Sequence, residues 1–229
     1  MSAKKLNTIA QAIADLKRGK GIIVVDDPNR ENQGDLVFAA EKITPKKINF
    51  MIQNCGGLIC APITARRAAE LEIPLMVDRE NNTEQTCINF TISVDATKVA
   101  DHGISAKDRA LTAKALVNSK TKPGDLARPG HIFPLISAGG GLKERQGHTE
   151  ATIELMRLAK LKPAGVICEI LQKNGNMARL PQLRAFAKKH NLKIITIADL
   201  IKYISIESME VPIPKEVGLP KHSRVFKTA

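Results

Sequence analysis

The sequence predicts an α+β fold in which helices cover both faces of a mixed β-sheet, giving three layers. Two observations predict it. Short apolar runs such as GIIVV and GVICEIL alternate along the chain with segments whose apolar residues recur at helical spacing. No linker interrupts this alternation, so we expect one domain over residues 1–205 and an irregular basic tail over residues 206–229.

In the first half of the chain, apolar residues at helical spacing from Ile9 to Leu16 predict a helix that ends at Gly19. The runs GIIVVD and LVFAAE predict two paired strands joined by a polar loop. Thr44 and Pro45 are a favourable cap and first helical residue, so a second helix begins there. The half closes with a strand at 58–63, a helix at 64–71 and a strand at 87–94.

In the second half, Ser105 and Asp108 form a capping pattern that predicts a helix through Leu116. Residues 123–147 are rich in proline and glycine and show little periodicity, so no regular element is predicted there. Helices and strands then alternate: a helix at 149–159, a strand at 165–171, a helix at 181–190, a strand at 193–197 and a helix at 198–203.

Composition limits the classes of partner. The net charge of +12 would suit a polyanion, but the lysines and arginines are spread over the chain, and no Trp and one Tyr leave little surface for stacking on bases. We therefore expect no nucleic-acid partner. The chain has no apolar run of membrane-spanning length and no signal peptide, and its four cysteines lack zinc-site spacing. These features predict a cytoplasmic protein with free thiols and no membrane partner.

The stretch DDPNRENQGD, residues 26–35, places four carboxylates around Arg30. Carboxylates this close repel one another unless a cation neutralises them. Glu31 and Asp35 are spaced so that a loop between adjacent strands aims both at one point, and oxygen ligands suit magnesium or manganese. The alternative is a polar hairpin turn, since Asp, Pro, Asn and Gly all favour turns.

The stretch AGGGLKERQGHTEATIE, residues 138–154, leads from glycines through Arg145 to His148 and Thr149, where a helix begins. The N–H groups of a helix N-terminus and an arginine together suit a phosphate group. The alternative is an ordinary glycine-rich turn in which Thr149 is only the N-cap.

Two further residues stand out. His131 lies between Pro129, Gly130 and Pro134 in a non-helical setting, and Glu169 interrupts an otherwise apolar strand. A buried carboxylate is costly unless it is paired, so Glu169 is expected beside a cation, a metal or a hydrogen-bonding substrate. For His131 alone, a structural role is the simpler alternative. Taken together, the two stretches, His131 and Glu169 indicate an enzyme that uses a divalent metal on a small, phosphorylated and hydroxylated substrate.

Residues 9–203 resemble the 3,4-dihydroxy-2-butanone 4-phosphate synthase family of riboflavin biosynthesis. Five motifs carry the resemblance in order: VVDDPNRENQGDLVFAAE, GISAKDRALT, RPGHIFPL, GHTEATIELMRLA and PAGVICEIL followed by NGNMARLP. It implies the family's fold and a lyase that converts D-ribulose 5-phosphate to L-3,4-dihydroxy-2-butanone 4-phosphate and formate with Mg²⁺ or Mn²⁺. It also implies a homodimer with active sites near the interface and residues 101–109 reaching the neighbouring subunit.

The resemblance also assigns site residues by their match to these motifs. Glu31 and His148 match the metal ligands, and His131, Glu169 and Asp35 match catalytic residues. The substrate-binding matches are Arg30, Glu31, Asp35, Arg145, Gln146, Gly147, His148, Thr149 and Glu169.

The chain departs from the family pattern at two places. Family members commonly carry a second glutamate where this chain has Gln33, so one negative charge is absent here. They commonly carry two threonines where this chain has Asp101 and His102. A threonine there is thought to contact phosphate across a dimer interface, so either His102 supplies that contact or it is lost.

Three other functions are weighed against the synthase. A related phosphosugar isomerase or lyase would use similar chemistry. The basic tail suits a nucleic-acid or protein interaction module, which salt-dependent binding to random duplex would reveal. The tail is also a candidate remnant of a fusion to GTP cyclohydrolase II, but without a zinc-type cysteine set we expect no cyclohydrolase activity.

Overall fold

Seven strands form one mixed sheet in the computed structural model, which describes residues 6–210. In chain order they are β1 (Ile22–Val25), β2 (Gly34–Ala39), β3 (Cys60–Ile63), β4 (Val94–Ala96), β5 (Leu126–Ile136), β6 (Gly165–Glu169) and β7 (Lys193–Thr196). Across the sheet the order is β4-β5-β3-β6-β2-β1-β7. The pairs β1–β7 and β3–β5 are parallel, and the other neighbours are antiparallel.

Helices cover both faces of this sheet. Among the described residues they are α1 (Ile9–Lys17), α2 (Pro45–Asn54), α3 (Ala65–Glu70), α4 (Ala106–Val117), α5 (His148–Leu158), α6 (Leu180–His190) and α7 (Ile197–Glu210). The apolar residues of α1, α5 and α7 form one core, and those of α2, α3, α4 and α6 form the other. Strand β1 contributes alternate residues to the two cores, Ile23 to one and Ile22 to the other, because successive side chains of a strand point to opposite faces. The predicted three-layer fold with a mixed sheet is confirmed.

Side-chain caps begin two helices where the sequence predicts them. Thr44 Oγ1 accepts the main-chain N–H of Lys47 at 3.4 Å, and Pro45 is the first residue of α2. Ser105 Oγ accepts the main-chain N–H of Asp108 at 3.1 Å at the start of α4. Each bond satisfies an N–H group that the helix itself cannot pair.

Two predicted features of the sheet are wrong. The strand predicted at 87–94 is mostly a loop, because its residues make only isolated bridges such as Phe90 to Leu135 before β4 begins at Val94. Conversely, the segment predicted to be irregular contains β5, the longest strand described. Its proline and glycine content is unfavourable for a strand in the sequence pattern. Gly130 is required where β5 pairs with β4, since a Cβ there would overlap the main chain of Val94.

The last helix is longer than predicted. Helix α7 runs to Glu210, so it continues past the predicted start of the irregular tail at residue 206. The rest of that tail lies outside the described residues. Within residues 6–210, no helix combines the length and apolar content needed to cross a bilayer.

Substitution of a central strand residue should destabilise the protein strongly. Leu36 in β2 is completely buried, so Leu36→Ala removes packed methyl groups and leaves a cavity. We expect the free energy of unfolding to fall by about 2–5 kcal/mol, measured by urea denaturation. The matched control is Ile206→Ala, whose side chain is 65% exposed and whose effect should stay within about 0.5 kcal/mol. Equal effects of the two substitutions would contradict the assignment of β2 to the centre of the sheet.

Candidate active site

A buried aspartate organises the loop that joins β1 to β2. Asp26 is only 4% exposed. Its carboxylate accepts the main-chain N–H groups of Glu31 at 3.1 Å and Gln33 at 2.7 Å, and the side chain of Arg30 at 3.0 Å. From the other side, Arg179 donates to the main-chain carbonyls of Glu31 and Asn32. These bonds hold the loop in one conformation and fix the direction in which Glu31 points.

Glu31 meets His148, the first residue of α5. Glu31 Oε2 lies 4.0 Å from His148 Nδ1, and ligand-capable atoms of Asp26, Glu31 and His148 all lie within 4.8 Å of one another. The other ring nitrogen of His148 lies 3.2 Å from the carbonyl oxygen of Val24, which orients the ring as second partners of metal-bound histidines do. Burial lowers the pKa of His148, which favours the neutral ring that can bind a metal.

Two more carboxylates face this group from neighbouring strands. Asp35 in β2 pairs directly with Glu169 in β6, so both side chains point to the same face of the sheet. Glu169 Oε2 accepts the main-chain N–H of Leu58 at 2.8 Å. Asp35 Oδ1 is buried and has no hydrogen-bond partner among the described residues. Burial, reinforced by Glu169 and Glu31, raises the pKa of Asp35 well above its ordinary value.

The start of α5 also presents the predicted phosphate-side residues. The N-cap is Gly147, so the alternative in which Thr149 is the N-cap is wrong. Arg145 donates from Nε to the carbonyl of Thr86 at 2.8 Å and from Nη2 to its Oγ1 at 3.2 Å, and from Nη1 to Glu150 at 2.7 Å. The guanidinium is therefore held in place by two other segments of the chain.

One narrow cavity collects most of the predicted site residues. Its volume is about 40 Å³. The predicted residues that line it are Arg30, Glu31, Asp35, Arg145, His148, Thr149 and Glu169. Gln146 and Gly147 directly precede the helix and are not among the lining residues of this cavity in the described chain.

His131 lies apart from this cavity. Its Nδ1 is 2.7 Å from Asp95 Oδ2, its main-chain N–H donates to the other oxygen of Asp95 at 3.0 Å, and its side chain is 41% exposed. The loop before α4 packs against this pair, since a Cβ on Gly103 would overlap Asp95. Asp108 holds that loop by accepting the main-chain N–H groups of residues 100, 101 and 103. Within one described chain, then, His131 does not line the cavity that contains Glu169.

The sequence interpretation did not assign three residues of this region. The sequence shows Asp26 as one of the carboxylates of the loop. Its role as acceptor for the main-chain N–H groups of Glu31 and Gln33 depends on how the loop folds back, which residue spacing does not reveal. Cys60 is one of the free thiols that the sequence predicts. It lines the cavity, and burial, with Glu169 and Asp35, raises the pKa of its thiol well above the usual value. Asp95 carried no local signal, because its partner His131 is 36 positions away.

Comparison with known proteins gives consistent matches. The sequence pattern of the 3,4-dihydroxy-2-butanone 4-phosphate synthase family matches residues 10–203. The riboflavin biosynthesis protein RibBA of Aquifex aeolicus is 52% identical over 225 residues, which cover 97% of this chain and 55% of that protein. RibBA of Parabacteroides distasonis is 51% identical, covering 95% of this chain and 55% of its own length. The chain thus spans about half the length of these curated relatives.

Solved structures share the fold. A 3,4-dihydroxy-2-butanone 4-phosphate synthase in complex with two magnesium ions is 39% identical with a TM-score of 0.84, over 90% of this chain and 100% of that one. RibBX of A. baumannii, a two-domain 3,4-dihydroxy-2-butanone 4-phosphate synthase, is 47% identical with a TM-score of 0.82, over 86% of this chain and 57% of that one. The similarity therefore covers most of the chain.

Neutralising Asp35 should stabilise the metal-free protein. Asp35→Asn keeps the shape of the side chain and removes a buried negative charge that Glu169 and Glu31 oppose. We expect a gain of at least about 1 kcal/mol at pH 8 with a chelator present, or about 2–4 °C in melting temperature for a chain of this size. Differential scanning calorimetry would measure it.

The gain should depend on pH. The folded state holds the Asp35 proton to a higher pH than the unfolded chain, whose ordinary value is 3.8. The stability of the wild type therefore falls as pH rises through the window above that value, because the folded state binds more protons there. The advantage of Asp35→Asn should be largest at alkaline pH and disappear near pH 4. An advantage that is constant with pH would contradict the raised pKa.

Proposed function

This chain belongs to the 3,4-dihydroxy-2-butanone 4-phosphate synthase family, and on that basis we propose that it converts D-ribulose 5-phosphate into L-3,4-dihydroxy-2-butanone 4-phosphate and formate. The observation that carries the proposal is the single cavity that gathers Glu31, His148, Asp35 and Glu169. This set combines metal-ligand atoms with carboxylates suited to proton transfer, and the family supplies the reaction. The catalytic unit is taken to be residues 1–205.

We propose that Glu31 and His148 hold a divalent cation, Mg²⁺ or Mn²⁺. Carboxylate oxygens with one neutral imidazole suit these ions, and Asp26 brings a further carboxylate oxygen within 4.8 Å of these ligand atoms. When bound, the cation would polarise a substrate carbonyl and stabilise negative charge on adjacent sugar oxygens. Asp26 and Arg30 keep Glu31 directed at the cavity through the loop contacts described above.

Proton transfer is assigned to Asp35 and Glu169. A carboxyl group with a raised pKa can give up and take back a proton near neutral pH, which ordinary aspartates do poorly. Glu169 is oriented by the N–H of Leu58 and sits directly opposite Asp35, so the two act on the same part of a bound sugar.

We place the phosphate of the substrate at the start of α5. In the described part of the chain, the main-chain N–H groups of His148 and Thr149 have no acceptor, and Arg145 lies beside them. Free N–H groups at a helix start and a guanidinium are favourable partners for a phosphate. The Thr149 side chain lines the same cavity, and Gln146 and Gly147 bring the chain to it.

We propose further that the protein is a cytoplasmic homodimer in which His131 of one subunit completes the cavity of the other. The supporting observation is that His131 and Asp95 form a separate, partly exposed pair within one chain. Apolar side chains near the two regions are exposed, Leu58 by 46% and Ile104 by 55%, and suit burial between subunits. Free buried cysteines such as Cys55 are compatible with a reducing compartment.

The decisive experiment for the function is formate release. Purified protein incubated with ribulose 5-phosphate and Mg²⁺ should release formate, and a chelator should abolish the release because the cation stabilises charge on the substrate. Replacing His148 with Ala should abolish turnover as well. Wild-type protein incubated with GTP in place of ribulose 5-phosphate should give no turnover. Absence of formate with added metal would refute the synthase proposal, and GTP hydrolysis would refute the expected lack of cyclohydrolase activity.

Subunit mixing tests the shared site. His131→Ala and Glu31→Gln each should inactivate a homodimer, since every site loses one essential group. In a mixed dimer, one of the two shared sites contains both substitutions and the other contains neither. Each mixed dimer should therefore regain up to about half of the activity of a wild-type dimer. Activity would be measured after exchange of subunits, with light scattering to establish the dimer. Failure of mixed dimers to regain activity, or an active monomer, would contradict a shared site.

A further inference from the structure

Glu150 is a buried carboxylate that touches none of the cavity-lining metal ligands. It lies on the first turn of α5 and is 1% exposed. Its Oε2 accepts Arg145 Nη1 at 2.7 Å, and its Oε1 accepts the main-chain N–H of Ala138 at 3.0 Å. A buried carboxylate is costly to desolvate, so these two contacts must offset that cost.

The direction of this side chain is unusual for its position. A glutamate at the third residue of a helix commonly reaches back to the N-cap N–H, closing the capping box. Glu150 instead turns to Arg145 and Ala138, and the N-cap Gly147 has no side-chain cap. The helix start is thus left open for an anion, while the carboxylate is used to fix a cation beside it.

The guanidinium of Arg145 is fixed from both sides. Glu150 holds Nη1, while the carbonyl and Oγ1 of Thr86 accept Nε and Nη2. Gly147 leaves the space in which Arg145 and Glu150 meet, since a Cβ there would lie 2.9 Å from Glu150 Oε2 and overlap the guanidinium. A flexible arginine loses side-chain entropy when it binds an anion, and an arginine already held in place does not.

We propose that Glu150 is a positioning residue that sets Arg145 for the phosphate group of the substrate, which rests on the proposed function. Glu150 acts only through Arg145 and does not touch the reacting atoms. Its loss should therefore weaken binding of the phosphate end in the ground state and the transition state alike. The expected signature is a higher KM with little change in kcat.

Glu150→Gln is the informative substitution. The amide can accept the N–H of Ala138 or face Arg145 with its oxygen, but not both, so one contact is always lost. The matched control is Glu154→Gln, which removes an ion pair with Arg157 on the same helix and leaves Arg145 untouched. We expect Glu150→Gln to raise KM for ribulose 5-phosphate about tenfold with kcat within about twofold, and Glu154→Gln to change neither.

Binding of inorganic phosphate, measured by titration calorimetry, separates this inference from the proposed reaction. Wild type and Glu154→Gln should bind phosphate equally, and Glu150→Gln about tenfold more weakly. If the wild type releases no formate, the proposed function fails, and the phosphate affinities still decide the role of Glu150. Equal phosphate affinity in Glu150→Gln and wild type, or no phosphate binding by the wild type, would overturn the inference.

A double substitution tests whether Glu150 acts through Arg145. In the Arg145→Met background, Glu150→Gln should cause no further loss of phosphate affinity, because the group that it positions is gone. A further tenfold loss would overturn the inference. If Glu150→Gln does not fold, Thr86→Val at a half-exposed position removes the Oγ1 contact of Arg145, and an unchanged affinity in that variant would overturn it instead. The expected loss for Thr86→Val is about threefold.

Discussion

Repulsion among four carboxylates at one end of the sheet is the constraint on which the surrounding structure depends. The four carboxylates that converge there are those of Asp26, Glu31, Asp35 and Glu169. Each has a different set of hydrogen-bond and ion-pair partners. Asp26 is satisfied by two main-chain N–H groups and Arg30, and Glu31 lies 3.1 Å from the same arginine. Glu169 receives one main-chain N–H. Asp35 Oδ1 has no partner among the described residues, and burial, reinforced by Glu169 and Glu31, raises the pKa of Asp35.

The sheet makes this convergence possible. The antiparallel pairing of β2 with β6 sets Asp35 opposite Glu169, and a register slip of one residue would turn either side chain to the other face. The register is fixed by the apolar residues that follow, since Leu36 and Val37 enter opposite cores. The burial of apolar residues that stabilises the domain therefore also holds two mutually repelling carboxylates, Asp35 and Glu169, in the lining of one cavity.

The sequence predicted what depends on local pattern, and missed what depends on contacts far apart in the chain. Ser or Thr caps located the starts of α2 and α4. The family resemblance assigned Glu31, His148 and Arg145 to one site, and all three line one cavity. Strand β5 was missed because Pro129 and Gly130 are unfavourable in isolated strands, although two neighbouring strands pair with it here. His131 pairs with Asp95 of β4 and lies apart from the cavity, although Leu135 of the same strand lines it. No local pattern encodes a partner 36 positions away.

The unpaired buried atoms indicate why the site is not optimised for stability. Only four buried side-chain atoms lack a hydrogen-bond partner among residues 6–210, and two of them, Arg30 Nη2 and Asp35 Oδ1, belong to residues that line the cavity. An unpaired buried polar group costs about 1–3 kcal/mol, so the folded chain retains a cost that simple substitutions could remove. On the proposed function, a substrate oxygen would accept the N–H of Arg30 Nη2, and a substrate hydroxyl would donate to Asp35 Oδ1. These two atoms are unpaired in the folded chain, so a ligand that pairs them gains binding free energy. Functional sites commonly keep strained or unpaired groups for this reason.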